Sequence, residues 1–165
     1  MSEATTVYVY TMNRVGQVGA WSVYEFPFPI DGFTHLDGEL YIRSGDDVLR
    51  VEQSAVADYA GSEREVFFDA TIEWPWLDFG QPGRLKMLAG FDVVGRGEPT
   101  IEVGYNQATP LFTAPFTVAA DTVPGMMIPL PLMAPSMSVR VTYHGGQDWE
   151  LQAVQLYLQD QRITA

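Results

Sequence analysis

The feature that most constrains this chain is a period-two alternation of apolar and polar residues, in short runs cut by turn residues. At residues 66–74, Val66, Phe68, Ala70, Ile72 and Trp74 alternate with Phe67, Asp69, Thr71 and Glu73. Successive side chains of a strand point to opposite faces, so this pattern suits a half-buried strand and not a helix of 3.6-residue repeat. Similar runs at residues 85–94, 100–105, 115–119, 126–130, 137–143 and 149–158 have the spacing of a β-sandwich over residues 65–160. Leu151, Val154 and Leu158 in the last run would also suit a helix face. The preceding turn, Gly145, Gly146, Gln147 and Asp148, favours a hairpin, so a bulged strand is expected there.

Upstream, strands are expected at residues 7–12 and 21–26, then at 33–36 running through Asp37-Gly38 into 39–43, then at 47–52. Asp37-Gly38 supplies the positive φ angles of a type I′ hairpin turn, and Gly45-Asp46 reads as a second turn. Residues 6–53 therefore read as a four-stranded blade-like meander. Residues 54–64, polar and rich in small side chains, read as a linker. The expected fold class is all-β, an antiparallel blade-like meander followed by a β-sandwich that is jelly-roll-like, with little helix.

The charge balance narrows the partners. Nine basic against 21 acidic residues leave a net charge of -12, so a surface offered to nucleic acid would repel phosphate, and tight nucleic-acid binding is not expected. An acidic wall past which DNA slides without sticking is compatible with the same physics. A hydrophobic fraction of 47% with 18% charged residues belongs to a packed chain and not to a disordered one. The absence of cysteine excludes disulfide staples and thiolate metal sites and fits assembly inside a cell. No apolar stretch approaches the roughly 20 residues needed to span a bilayer, and the first residues lack a signal-peptide pattern, so neither membrane insertion nor export by that route is expected.

Motifs for chemistry are missing. The glycines occur as isolated turn formers and make no nucleophile elbow, Walker loop or dinucleotide fingerprint; Gly95-Arg96-Gly97-Glu98 reads as a hairpin turn. His35 and His144 stand alone, without the spacing that brings two imidazoles to one metal, and read as strand or turn residues. Asp46-Asp47 lacks the ligand spacing of a calcium loop. No catalytic residue, cofactor or metal is assigned, and the chain reads as a non-enzyme.

Two groups of residues are candidates for contact. Residues 124–135 are too rich in proline for a central strand and read as an edge strand or an extended loop. Met126, Met127, Ile128, Leu130, Leu132 and Met133 in that stretch either cover one open end of the sandwich core or form an interface with another subunit. Trp21, Trp74, Trp76 and Trp149 either belong to the core or an interface or stack on sugar rings, as in a carbohydrate-binding module, with Trp74, Trp76 and Trp149 the candidates for stacking. Trp76 follows Pro75, which ends the strand and leaves its ring a route outward.

Some strings carry more than pattern: Trp21-Ser22-Val23-Tyr24-Glu25-Phe26, the run from Thr34-His35-Leu36-Asp37-Gly38-Glu39-Leu40-Tyr41 to Ile42-Arg43-Ser44-Gly45-Asp46, and Trp76-Leu77-Asp78-Phe79-Gly80 with Gly83-Arg84-Leu85-Lys86. Together they resemble the C-terminal part of the tail hub or nozzle proteins of short-tailed bacteriophages, the packaged DNA stabilisation proteins. The first two strings resemble a β-propeller blade, and the remainder of the chain resembles a sandwich. The resemblance runs from about Thr6 to Leu158 and implies a non-enzymatic virion protein, a tail hub or head-to-tail connector component, assembled in the bacterial host cytoplasm with other tail subunits and as a homo-oligomer of six copies. Family members are several times longer and supply further blades upstream. A single blade leaves both faces and both edges open, so it must pack on its own sandwich, pair with another subunit, or be the stump of a longer reading frame.

Overall fold

The computed structural model describes residues 4–13, 18–52, 55–59, 62–118 and 125–159, and among these there is no helix. The protein is all-β, in several antiparallel sheets. It divides into two compact units, Met1–Val66 and Phe67–Ala165.

In the first unit, β1 (Thr5–Asn13) and β2 (Val18–Phe26) form a two-stranded antiparallel ribbon, paired without a bulge from Thr5↔Phe26 to Asn13↔Val18. A separate three-stranded meander comes next, of β3 (Gly32–Leu36), β4 (Glu39–Ser44) and β5 (Asp47–Val51). Asp37 and Gly38 both adopt positive φ, 52° and 87°, as the type I′ hairpin requires. The strands expected to share one four-stranded sheet thus pair in two sheets. The reason lies at Pro27 and Pro29, which lack the N–H that a ladder needs and interrupt the extended chain between β2 and β3. Phe28 fills the break, nearly buried between Phe26 and Tyr59, with ring centroids 5.4 and 5.0 Å away. β6 (Ala57–Asp58), inside the stretch read as a linker, pairs with β7 (Val66–Phe67).

The second unit is a sandwich of β8 (Ala70–Glu73), β9 (Lys86–Arg96), β10 (Thr100–Asn106), β11 (Leu111–Phe112), β12 (Phe116–Thr117), β13 (Ile128–Ala134), β14 (Ser138–Tyr143) and β15 (Glu150–Gln159). The pairs are nested: β8 with β14, β9 with β13, and β10 with β12. Such nesting is one long hairpin rolled upon itself, which brings β14 against β10 and gives the jelly-roll type of sandwich. One sheet runs β11-β10-β14-β8, with β12 also on β10; the other runs β13-β9-β15.

Alternation places the core between these sheets. Phe91 and Val93 from β9, Ile101 and Val103 from β10, and Val139, Val141 and Tyr143 from β14 are all buried. Each contributes about 1.5–3 kcal/mol by leaving water. β15 is a strand, as the hairpin reading requires, with a bulge between Leu151 and Ala153 that turns Leu151, Val154 and Leu156 all toward the core.

Lys86 at the start of β9 is also buried. Its ammonium donates to the carbonyls of Gln81, Arg84 and Pro135 at 2.6, 2.9 and 2.7 Å, so all three protons are used. This ties the loop between β8 and β9, where Phe79, Gly80 and Gly83 take positive φ, to the end of β13.

Candidate functional site

The β1–β2 ribbon carries the largest anomaly of the molecule. Its register places Tyr8 opposite Val23, Tyr10 opposite Trp21 and Met12 opposite Gly19, so Tyr8, Tyr10, Met12, Trp21 and Val23 share one face. Their exposures are 68, 50, 61, 70 and 56%, respectively. The Tyr10 and Trp21 rings touch at 4.9 Å, and the Tyr10 hydroxyl lies over Gly19, where the missing side chain makes room for it. The face is a contiguous apolar platform.

Two physical facts make the platform unusual. An isolated two-stranded ribbon is at best marginal in water, and here no third strand joins it among the described residues. Large contiguous apolar patches on soluble proteins mark interaction sites, and tyrosine, tryptophan and methionine are the residues enriched in interface cores. Electrostatics points the same way. Residues 5–26 hold one acid and one base, Glu25 and Arg14, in a chain of net charge -12, so this is a locally neutral region of a strongly acidic protein.

The residues expected to form an interface between Met126 and Met133 do not share one surface. Residues 128–134 are an edge strand, β13, and its alternation sends Ile128, Leu130 and Leu132 against the two core clusters. Met126, Met127 and Met133 remain exposed. Met127 and the Ile128 carbonyl lie over Gly90 of β9, and the Gly125 N–H donates to the buried Asp92 carboxylate at 2.7 Å. The approach to β13 is thereby held against β9.

The three tryptophans also part company. Trp74 and Trp149 pack against the sandwich core, Trp149 stacked on Tyr143 at 4.6 Å. Trp76 lies on the opposite side of its sheet, over Gly104 and beside Phe112, with ring centroids 6.0 Å apart. No coplanar pair of these rings faces water, and a sugar-stacking platform is not assembled from them.

His144 has partners that its isolation in the sequence did not suggest. Its Nδ1 lies 3.2 Å from Asp69 Oδ2 and its Nε2 lies 3.2 Å from the Thr100 hydroxyl, while the Gly145 N–H donates to Asp69 Oδ1 at 2.9 Å. Beside this group, Arg140 bridges Glu73 and Glu102 at 2.9 and 3.3 Å, with its guanidinium 4.0 Å from the Phe112 ring centroid. These contacts clasp the outer face of one sheet across β8, β14 and β10. His35 lines a shallow open depression of the meander with Gly38, Glu39 and Arg50. Among the described residues no three acidic or imidazole groups converge on a metal position.

Asp69 gives a pH prediction. The Gly145 N–H first, and then His144, hold its carboxyl below the ordinary aspartate value. A depressed carboxylate contributes stability that is fully present above its unfolded value, near 3.9, and is lost as the pH falls through the folded value. Asp69→Asn should therefore flatten the acid limb of a stability profile below about pH 4, by a small amount because the pair is solvent-screened. Thermal melts of both proteins from pH 7 down to pH 3 read this directly; parallel acid limbs would contradict it.

Two signals for the aromatic face are in the sequence: the alternating tyrosines of β1 and the Trp-Ser-Val-Tyr string of β2. They read as strands of a meander that must pack on something, because alternation does not say which side is left open. No protein family, no curated protein and no solved structure matches this chain.

Proposed function

We propose that this protein is a non-enzymatic structural subunit of a bacteriophage or prophage virion, a tail hub, nozzle or head-to-tail connector component that works by assembling with copies of itself. The observation that carries the assembly reading is the exposed aromatic face of the β1–β2 ribbon. Aromatic side chains bury about 150–250 Å² each, so Tyr8, Tyr10 and Trp21 at these exposures, with smaller shares from Met12 and Val23, offer on the order of 500 Å² of largely apolar surface, more than half of what one partner brings to a standard interface.

A second copy of this chain is the occupant that the charge favours. Two proteins of net charge -12 repel over most of their surfaces, and the neutral ribbon is a place where they approach at little cost. The virion part of the reading rests on the resemblance of the blade-like and sandwich strings to tail hub proteins. The same acidity suits a passage that DNA slides through without counterion-release binding.

Light scattering across a concentration series tests the assembly reading. A closed symmetric oligomer is expected, and Tyr8→Ser with Trp21→Ser should remove association through the ribbon, leaving nothing larger than a dimer, by weakening that contact at least about a hundredfold, as loss of two interface aromatics does. A chain that stays monomeric at high concentration would overturn it. The virion reading fails separately if the neighbouring reading frames encode no portal, capsid or terminase protein.

A further inference from the structure

The three-stranded sheet β13-β9-β15 has two free edges among the described residues, and they are built differently. The β13 edge carries Pro129 and Pro131, which have no N–H to offer an incoming strand. In the facing sheet, β8 is four residues long and is followed by Trp74-Pro75, while β11 and β12 are two residues each. Short strands and prolines are among the devices by which proteins block edge pairing. β15 has neither: it is ten residues long and, after Glu150, its residues 151–159 contain no charge and no proline.

We infer that the β15 edge pairs antiparallel with β15 of a second copy, about a two-fold axis at Gln155, to make one continuous six-stranded sheet from two molecules. The bulge near Gln152 and the register shift after Tyr157 leave residues 153–157 as a regular run, with Gln155 at its middle. An axis through Gln155 sets Val154 opposite Leu156 of the second copy. Both side chains already face the sandwich core, so pairing extends the apolar face of the sheet without turning any apolar residue outward. It likewise sets Ala153 opposite Tyr157 on the other face, and Gln155 opposite its own copy.

The choice of occupant rests on charge. Most surfaces of this acidic chain repel an identical molecule, but a nine-residue uncharged edge does not, and antiparallel pairing about a two-fold axis is self-complementary by construction. The pairing rests on strand geometry and on the uncharged edge. It stands or falls apart from the virion reading and from the ribbon face.

The chain has no cysteine, so a single introduced thiol reports one edge. Residues directly opposite in an antiparallel pair have Cα atoms about 4.5–5.5 Å apart, within the range a disulfide spans. In a Tyr8→Ser, Trp21→Ser background, which removes association through the ribbon, Gln155→Cys should give a disulfide-linked dimer under mild oxidation. Met133→Cys, an exposed position on the β13 edge with Pro129 and Pro131 both kept, should stay monomeric. Gln155→Glu sets two carboxylates against each other at the axis and should weaken the dimer roughly tenfold or more in sedimentation equilibrium. Equal cross-linking of the two cysteine variants, absence of any dimer in that background, or a dimer unaffected by Gln155→Glu would each overturn the inference.

Discussion

Replacing Lys86 by methionine should destabilise the sandwich by about 3 kcal/mol although no charge partner is lost. The side chain would keep its apolar stem, but three charge-assisted hydrogen bonds, to Gln81, Arg84 and Pro135, would vanish together. Charge-assisted bonds count for about 1.5–3 kcal/mol each, and the exposed loop carbonyls recover part of this from water, which brings the total down to that range. The melting temperature should fall on the order of 10 °C for a unit of this size. Arginine at the same position should not rescue it, because a planar fork does not match three carbonyls converging on one point. A calorimetric scan that finds either variant within a degree of the parent would show that the loop between β8 and β9 is held by other contacts.

Phe91→Ala should be costlier still. Phe91 is fully buried in the middle of β9, packed edge-on against Phe116 at 6.1 Å and surrounded by Val93, Ile101, Val139 and Val141. Truncating a buried phenylalanine costs about 3–5 kcal/mol, the sum of lost transfer energy and the cavity left behind. In urea the transition should move down by roughly 2 M at unchanged slope. Phe91→Leu, which leaves a smaller cavity, should lose much less. Equal losses for the two substitutions would mean that the core collapses around the site.

The two substitutions probe features that differ in legibility. Phe91 belongs to an alternating run, and its burial can be read from a period of two together with the strand on either side. Lys86 reads as an ordinary exposed lysine at a strand start. Its role depends on three carbonyls brought together from Gln81, Arg84 and Pro135, of which the last is 49 residues away. The His144 group is similar, since Asp69 lies 75 residues from it and Thr100 lies 44. Hydrogen-bond partners at such separations leave no periodic trace.

By itself the sequence determined the class of fold and most strands of the sandwich, because alternation, turn glycines and the Asp37-Gly38 dipeptide act over two to four neighbouring residues. It also determined that the proline-rich stretch at residues 126–133 stays out of a sheet centre, because a missing N–H is a local property. Only the tertiary structure decided which strands share a sheet: β1 and β2 pair apart from β3, β4 and β5, and the nested pairs of β8 to β14 roll the rest into a sandwich. Only it decided that Ile128, Leu130 and Leu132 face inward while Tyr8, Tyr10 and Trp21 face water. An alternating pattern states that a strand has an apolar side. Whether another layer covers that side depends on long-range packing, which the alternation does not encode.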